Sequence, residues 1–197
     1  IYMAENNENI QEQELDLNKL MQVRMEKLEE LQKEGKNPYE ITKYDRTETS
    51  GQIKENYEEF EGKDVSVAGR IMAKRIMGKA SFCTIQDGNG KIQSYVSIND
   101  LGEESYKAFK TYDIGDIIGI KGFVFVTQTG QISVHAKALT VLSKSLRVLP
   151  IVKEKDGEVF DAFSDPELRY RQRYVDLIVN PHVRETFVKR AKIISTM

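Results

Sequence analysis

From residue 64 onward, apolar residues recur at every second position, which is the spacing of half-buried β-strands. Turn-forming residues separate these runs. The clearest turn is DGNG at Asp87–Gly90, because glycine and asparagine accept the positive φ of tight turns. The pattern predicts five strands, at 64–76, 80–87, 91–98, 116–127 and 131–142, and a helical stretch at 103–113. Five short strands with one helix after the third are typical of an OB-fold barrel, and a longer β-sandwich is the rival arrangement.

Helical spacing replaces this alternation on both sides. Residues 15–34 carry an apolar stripe, and Thr49 with Gln52 has the spacing of a capping box before a short helix. Further along, Asp165–Pro166 predicts a helix through residue 178, and Asn180–Pro181 predicts a second helix start. We therefore expect an α+β fold: a five-stranded OB-fold β-barrel with an N-terminal helix and a C-terminal helical segment. The predicted divisions are a disordered tail (1–14), a helical arm (15–62), the barrel (63–149), and a linker with the truncated start of another domain (150–197).

Strand alternation also separates the inner face of the barrel from the outer one. The inner positions are apolar, whereas a ring and several hydrogen-bonding groups share the outer face: Arg70, Phe82, Gln93, Tyr95, Gln131 and His135. A solvent-facing Phe82 beside such groups predicts a platform on which an unpaired base stacks while its edge is read. The alternative is that the N-terminal helix covers this face and buries Phe82.

Basic residues gather at the turn between the first two strands. Lys74, Arg75 and Lys79 are placed to contact phosphate oxygens, although a solvated charged turn is an equally good interpretation. Residues 63–149 carry 12 basic against 7 acidic side chains, while residues 1–62 carry 8 against 16. A mildly basic barrel fits a polyanionic partner, but charge alone decides little.

Composition excludes several classes of function. The single cysteine, Cys83, rules out an internal disulfide, suits a reducing cytoplasm and is predicted to lie in the core. His135 and His182 are too far apart in sequence to give a zinc pattern. The stretch GKAS at residues 78–81 is not a phosphate-binding P-loop, and no apolar run reaches the roughly 20 residues of a membrane span. We therefore expect neither a catalytic residue nor a metal site in this chain, and no membrane association.

Three segments resemble class II lysyl-tRNA synthetases of the bacterial type. They are VAGRIMAKRIMGKASFCTIQDGNGKIQSYV (67–96), GDIIGIKGFVFVTQTGQISVHA (115–136) and PELRYRQRYVDLIVNP (166–181). The likeness runs from about Leu17 to Met197. It implies an OB-fold that binds the anticodon loop of a lysine tRNA. Phe82 resembles the ring that stacks on the central uridine, and Arg70 and Gln93 resemble its polar readers. Gln131 stands where the family has glutamate in TGELS, so we expect anticodon reading to persist with an altered preference at a neighbouring base.

The resemblance also implies what the parent protein does. A lysine–tRNA ligase attaches lysine to tRNA with ATP and Mg²⁺. The resemblance implies that residues 150–197 are a linker and the truncated start of its class II catalytic domain, with the motif 1 helix. It also implies that motifs 2 and 3, which hold ATP, Mg²⁺ and lysine, lie beyond Met197. We therefore expect no cofactor and no lysyl-adenylate formation here. The full-length enzyme should be a cytoplasmic homodimer, and this fragment a monomer or a weak dimer. A free-standing module that binds single strands without sequence preference is the alternative.

Overall fold

A computed structural model describes residues 2–150, 153–155, 158–160 and 163–197, without the side chains of residues 2–15, 153–155 and 158–160. The chain forms two compact units, Ile1–Val148 and Leu149–Met197. Helix α1 (Tyr2–Lys33) includes residues 2–14, for which the sequence predicts a disordered tail; that prediction is not tested. None of the described helices is long and apolar enough to cross a membrane.

Five strands close into a barrel in the order β1-β2-β3-β5-β4. Neighbouring strands are antiparallel except β3 and β5, which run parallel. The strands are β1 (Asp64–Met77), β2 (Ala80–Gln86), β3 (Lys91–Ser97), β4 (Ile117–Val126) and β5 (Ile132–Ser143). Each strand begins and ends within one residue of its predicted position. The five-stranded barrel is therefore confirmed, and the sandwich is excluded.

Strand β1 closes the barrel because it pairs with two neighbours. Its first half, to Arg70, pairs with β4, and its second half, from Arg70, pairs with β2. A bulge lies between Ile71 and Ala73, where two steps along β1 match one step along β2. Gly69 precedes the bulge, and a Cβ there would lie 2.8 Å from the carbonyl oxygen of Gln86. The bend of β1 therefore depends on a residue without a side chain.

The core fills the barrel interior and continues under α4 (Ile98–Leu101) and α5 (Glu103–Thr111). Tyr106 and Phe109 of α5 are fully buried, and the Tyr106 hydroxyl lies 2.7 Å from the Oγ of Ser81. Cys83 lies in this core as predicted, and burial raises the pKa of its thiol to about 12. The inner positions predicted from alternation are thus apolar and buried, which is what stabilises the closed barrel.

The N-terminal arm continues from α1 through a 3-10 turn (Pro38–Glu40), α2 (Ser50–Glu55) and α3 (Tyr57–Phe60). The capping box of Thr49 and Gln52 is present, as the spacing predicts. The Arg24 guanidinium of α1 donates to the carbonyl oxygens of Ser145 and Arg147, at 2.7 and 3.0 Å, and so ties the helix to the segment that follows β5.

The same arm covers part of β1. Ser66, which alternation places on the outer face, is buried because its hydroxyl donates to the Asp45 carbonyl at 2.9 Å and lies 3.1 Å from the Tyr44 hydroxyl. The Tyr44 ring packs on β4, where a Cβ at Gly119 would lie 2.3 Å from it. The outer face is therefore closed on this side and open over β2 and β3.

The second unit contains a hairpin, β6 (Lys153–Lys155) and β7 (Glu158–Phe160), in the stretch predicted as a linker. Three helices follow: α6 (Pro166–Arg171), α7 (Arg173–Val179) and α8 (Pro181–Thr196). The prediction of a single helix over residues 166–178 is wrong, because the helix is interrupted at Gln172, which has φ −117° and ψ 53°.

This break lets basic groups from both helices reach one carboxylate. Asp176 is fully buried and accepts hydrogen bonds from Arg169, at 3.1 Å, and from Arg173. Asn180 precedes α8 as predicted but makes no side-chain cap; its amide donates instead to Asp176, at 2.7 Å, and to the carbonyl of Phe163. Burial alone would raise the pKa of Asp176, but these hydrogen bonds lower it below its ordinary value.

We expect Gly122→Ala to lower the free energy of unfolding by about 3 kcal/mol, or to prevent folding. A Cβ at this position in β4 would lie 1.9 Å from the carbonyl oxygen of His135, so β4 and β5 could not stay paired. Gly88→Ala is the matched control, because a Cβ there meets nothing within 4 Å. Chemical denaturation measures both, and equal stability of the two variants would contradict the requirement for close approach.

Candidate functional site

An open groove of about 650 Å³ crosses the outer face of the barrel. Its floor is formed by β2, β3 and β5, and its sides by the second half of β1 and by the turn between β4 and β5. The lining residues are Ala73, Lys74, Arg75, Met77, Phe82, Thr84, Gln93, Tyr95, Phe125, Thr127, Gln128, Thr129 and His135. The described part of α1 contributes no side chain to it. Phe82 is partly exposed in this groove, so the described residues do not support a covering helix.

Aromatic rings run continuously across the floor. The ring centroid of Tyr95 lies 5.3 Å from that of Phe82, 4.9 Å from that of His135 and 6.2 Å from that of Phe125. Tilted and edge-to-face arrangements at these distances are favourable for ring pairs. Because the rings support one another, Phe82 and Phe125 are held in place on either side of Tyr95.

The histidine of this row is anchored from outside the groove. The Nε2 of His135 lies 2.8 Å from a carboxylate oxygen of Asp100, and this hydrogen bond lowers the pKa of Asp100. His135 also stacks on Phe123, with centroids 4.7 Å apart. Its position supports the rings of the floor on the outer face, where alternation predicts His135 to lie.

Of the two arginines considered from the sequence, Arg75 lines the groove and Arg70 does not. Arg75 lies directly across the strand pair from Phe82. The guanidinium of Arg70 instead donates to the carbonyl oxygen of Gly115, at 2.7 Å, and burial lowers its pKa, with the Asp116 carboxylate opposing. The reader role of Arg70 therefore stays a prediction, whereas Arg75, which the sequence predicts as a possible phosphate contact, lies in the groove beside Phe82.

Lys74, for which the sequence predicts a possible phosphate contact, uses its ammonium for contacts within the protein. Its ammonium donates to the carbonyl oxygens of Lys110, at 3.1 Å, and of Tyr112, and so satisfies the C-terminal end of α5. Burial lowers its pKa, and the Asp113 carboxylate opposes this. Only the stem of Lys74 is then left to line the groove. Lys79, at the tip of the β1–β2 hairpin, is exposed.

The two glutamines differ in position. Gln93 lies on β3 in the groove floor, opposite Thr84 on β2 and Ser133 on β5. Gln131 is exposed at the end of the β4–β5 turn and does not line the groove. Its backbone fixes that turn, because its N–H donates to the Thr127 hydroxyl at 3.1 Å and its carbonyl accepts from the Thr127 N–H at 3.0 Å.

Sequence reasoning missed one side of the groove. Phe125 and Thr127–Thr129 belong to β4 and the following turn, and they line the groove opposite the β1–β2 hairpin. Alternation places Phe125 on the outer face together with Phe123, so the sequence pattern could have predicted that Phe125 belongs to the site. In the part of the chain that the structure describes, no group of three or more His, Cys, Asp or Glu side chains could hold a metal ion.

We expect Lys74→Met to lower the free energy of unfolding by about 1–2 kcal/mol, because the C-terminal carbonyls of α5 lose a charged donor. Lys79→Met is the control, since it removes an exposed lysine of the same hairpin, and should change stability by less than about 0.5 kcal/mol. Urea denaturation measures both variants. Equal stabilities would show that Lys74 does not hold the end of α5.

Comparisons with known proteins agree with this geometry. A family model described as an OB-fold nucleic acid binding domain matches residues 65–142. The lysine–tRNA ligase of Clostridium novyi is 53% identical over 184 residues, which is 93% of this chain and 35% of that protein. The ligases of Clostridium tetani (51% identity; 99% of this chain, 38% of that protein) and Clostridium botulinum strain Hall (54%; 91% and 34%) are also similar.

The chain thus spans little more than a third of the length of these curated relatives. These relatives confirm the resemblance to lysyl-tRNA synthetases that the sequence motifs predict, and the family match agrees with the OB-fold of the barrel.

Proposed function

We propose that this chain recognises the anticodon loop of a lysine tRNA and is the tRNA-binding part of a lysine–tRNA ligase. One observation carries the proposal. The groove brings a partly exposed phenylalanine, Phe82, together with a guanidinium from Arg75 and a carboxamide from Gln93 on an open face of an OB-fold. The similarity to lysine–tRNA ligases supports the choice of tRNA.

The groove has the chemistry that unpaired RNA requires. Anticodon bases are splayed out of a single-stranded loop, so their faces can stack on rings and their edges can accept or donate hydrogen bonds. In this proposal Phe82 stacks on one base, and Arg75 and Gln93 read polar edges beside it. Lys79, exposed at the hairpin tip, is placed to contact a phosphate. Gln131 lies outside the groove, and in this proposal it affects the preference for a neighbouring base.

The remaining properties of the ligase are proposed from its relatives. Lysine attachment with ATP and Mg²⁺, a homodimer and a cytoplasmic location belong to the whole enzyme, of which this chain matches 34–38%. We propose that lysine, ATP and Mg²⁺ bind to the part of the ligase that this chain does not match, and we assign only tRNA recognition to the barrel.

We expect Phe82→Ala to weaken binding of a lysine anticodon stem-loop by about 1–3 kcal/mol, the value of stacking one base on a ring. The fold should persist, because Phe82 is only partly buried. Ile76→Ala is the control: Ile76 lies on the same hairpin, is 45% exposed and does not line the groove, so its loss should leave affinity unchanged. Fluorescence anisotropy with labelled RNA measures both. Equal affinity of wild type and Phe82→Ala would refute the platform.

Sequence preference separates anticodon reading from general binding of single strands. At one fixed salt concentration, a stem-loop with a UUU anticodon should bind at least about tenfold more tightly than the same stem with a scrambled loop, because base edges as well as phosphates are read. Salt must be held constant since phosphate contacts alone make affinity salt-dependent. Equal affinities for the two loops would favour a free-standing module without sequence preference.

A further inference from the structure

A buried serine lies directly beside the carboxamide of Gln93. Ser133 of β5 is the register partner of Gln93 on the parallel strand β3, and it is fully buried. Its Oγ donates to the Oε1 of Gln93, at 3.0 Å. A buried hydroxyl must place its proton on an acceptor, so this bond occupies the carbonyl end of the Gln93 side chain.

A second acceptor competes for the same proton, but less well. The carbonyl oxygen of Gln131 lies 3.2 Å from the Oγ of Ser133. That carbonyl already accepts from the backbone N–H of Thr127, at 3.0 Å, and lies 3.3 Å from the Thr127 hydroxyl. It is satisfied without the serine, whereas the Oε1 of Gln93 has the shorter contact and, within the described residues, no other donor. The geometry thus favours donation to Gln93.

The carboxamide can then face the groove only with its nitrogen. An amide has an acceptor end and a donor end, and fixing one end fixes the other. We infer that Ser133 is a positioning residue: it holds Gln93 with its N–H donors toward the groove, so that the groove selects a base whose edge carries an acceptor. This inference rests on the proposed function and adds the basis of its base preference.

Uracil and cytosine differ in the group that such a donor would meet. Uracil carries the O4 acceptor where cytosine carries the N4 amino donor. Phe82 lies opposite Tyr95, and Gln93 lies two residues before Tyr95 on the same face of β3, so Gln93 is a diagonal neighbour of the stacking ring. A uracil stacked on Phe82 accepts from Gln93, whereas a cytosine places a donor against a donor.

The test compares two anticodon stem-loops, UUU and UCU, on the same stem. Wild type should prefer UUU by about fivefold or more, since an unpaired donor–donor contact is costly. Ser133→Ala frees the Gln93 carboxamide to turn, so the ratio of the two affinities should fall by about threefold or more. Ser94→Ala is the matched control, because Ser94 is equally buried on β3 but donates to the carbonyl oxygen of Val134, at 3.0 Å. It should leave the ratio unchanged.

A second variant tests the orientation without disturbing the buried serine. In Gln93→Glu the side chain accepts only, so it still takes the Ser133 proton but presents an acceptor to the groove. Its preference should shift toward UCU. If neither Ser133→Ala nor Gln93→Glu changes the ratio of the affinities for UUU and UCU, the inference is overturned. Tight binding of the UUU loop in the same experiment would still uphold the proposed function. Failure of wild type to bind either loop overturns both.

Discussion

The double pairing of β1 is the constraint on which the groove depends. The first half of β1 pairs with β4 and the second half pairs with β2, and the partner changes at Arg70. Such a strand must bend, and β1 does so at Gly69, where no side chain fits against β2, and at the bulge after Ile71. With β2 held in this place, Phe82 lies opposite Tyr95 on the open face.

The same bulge explains which part of the site the sequence could predict. On β2 and β3 no bulge interrupts the alternation, so Phe82 and Gln93 lie on the predicted face. On β1 the extra residue reverses the alternation: Ile71 pairs with the inward Ile85, yet Ala73 pairs with Thr84 in the groove. Arg75 is therefore brought to the groove. Gly69 indicates an irregularity in the strand but does not locate the extra residue, so a strict alternation assigns Arg75 to the wrong face.

Charged side chains that are buried or partly buried are the second feature that local patterns do not show. The register of β1 places Lys74 opposite the buried Cys83, where a lysine is tolerated because the end of α5 supplies carbonyl oxygens. Asp176 breaks a helix that its sequence pattern favours, since two arginines must reach one buried carboxylate. In both cases the partner is chosen by tertiary packing, which overrides the preference of a charged side chain for water.

Barrel closure and the proposed base recognition depend on the same short pairing of β3 with β5. Between β3 and β5 the register contains three pairs: Gln93 with Ser133, Ser94 with Val134 and Tyr95 with His135. Gln93, Tyr95 and His135 of the outer pairs line the groove, while Val134 of the middle pair lies in the core, so alternate positions belong to the proposed site and to the core. A substitution in this pairing can therefore weaken RNA binding by loosening the barrel alone. Only a change in preference between bases isolates recognition, because instability lowers the affinity for every loop by the same factor.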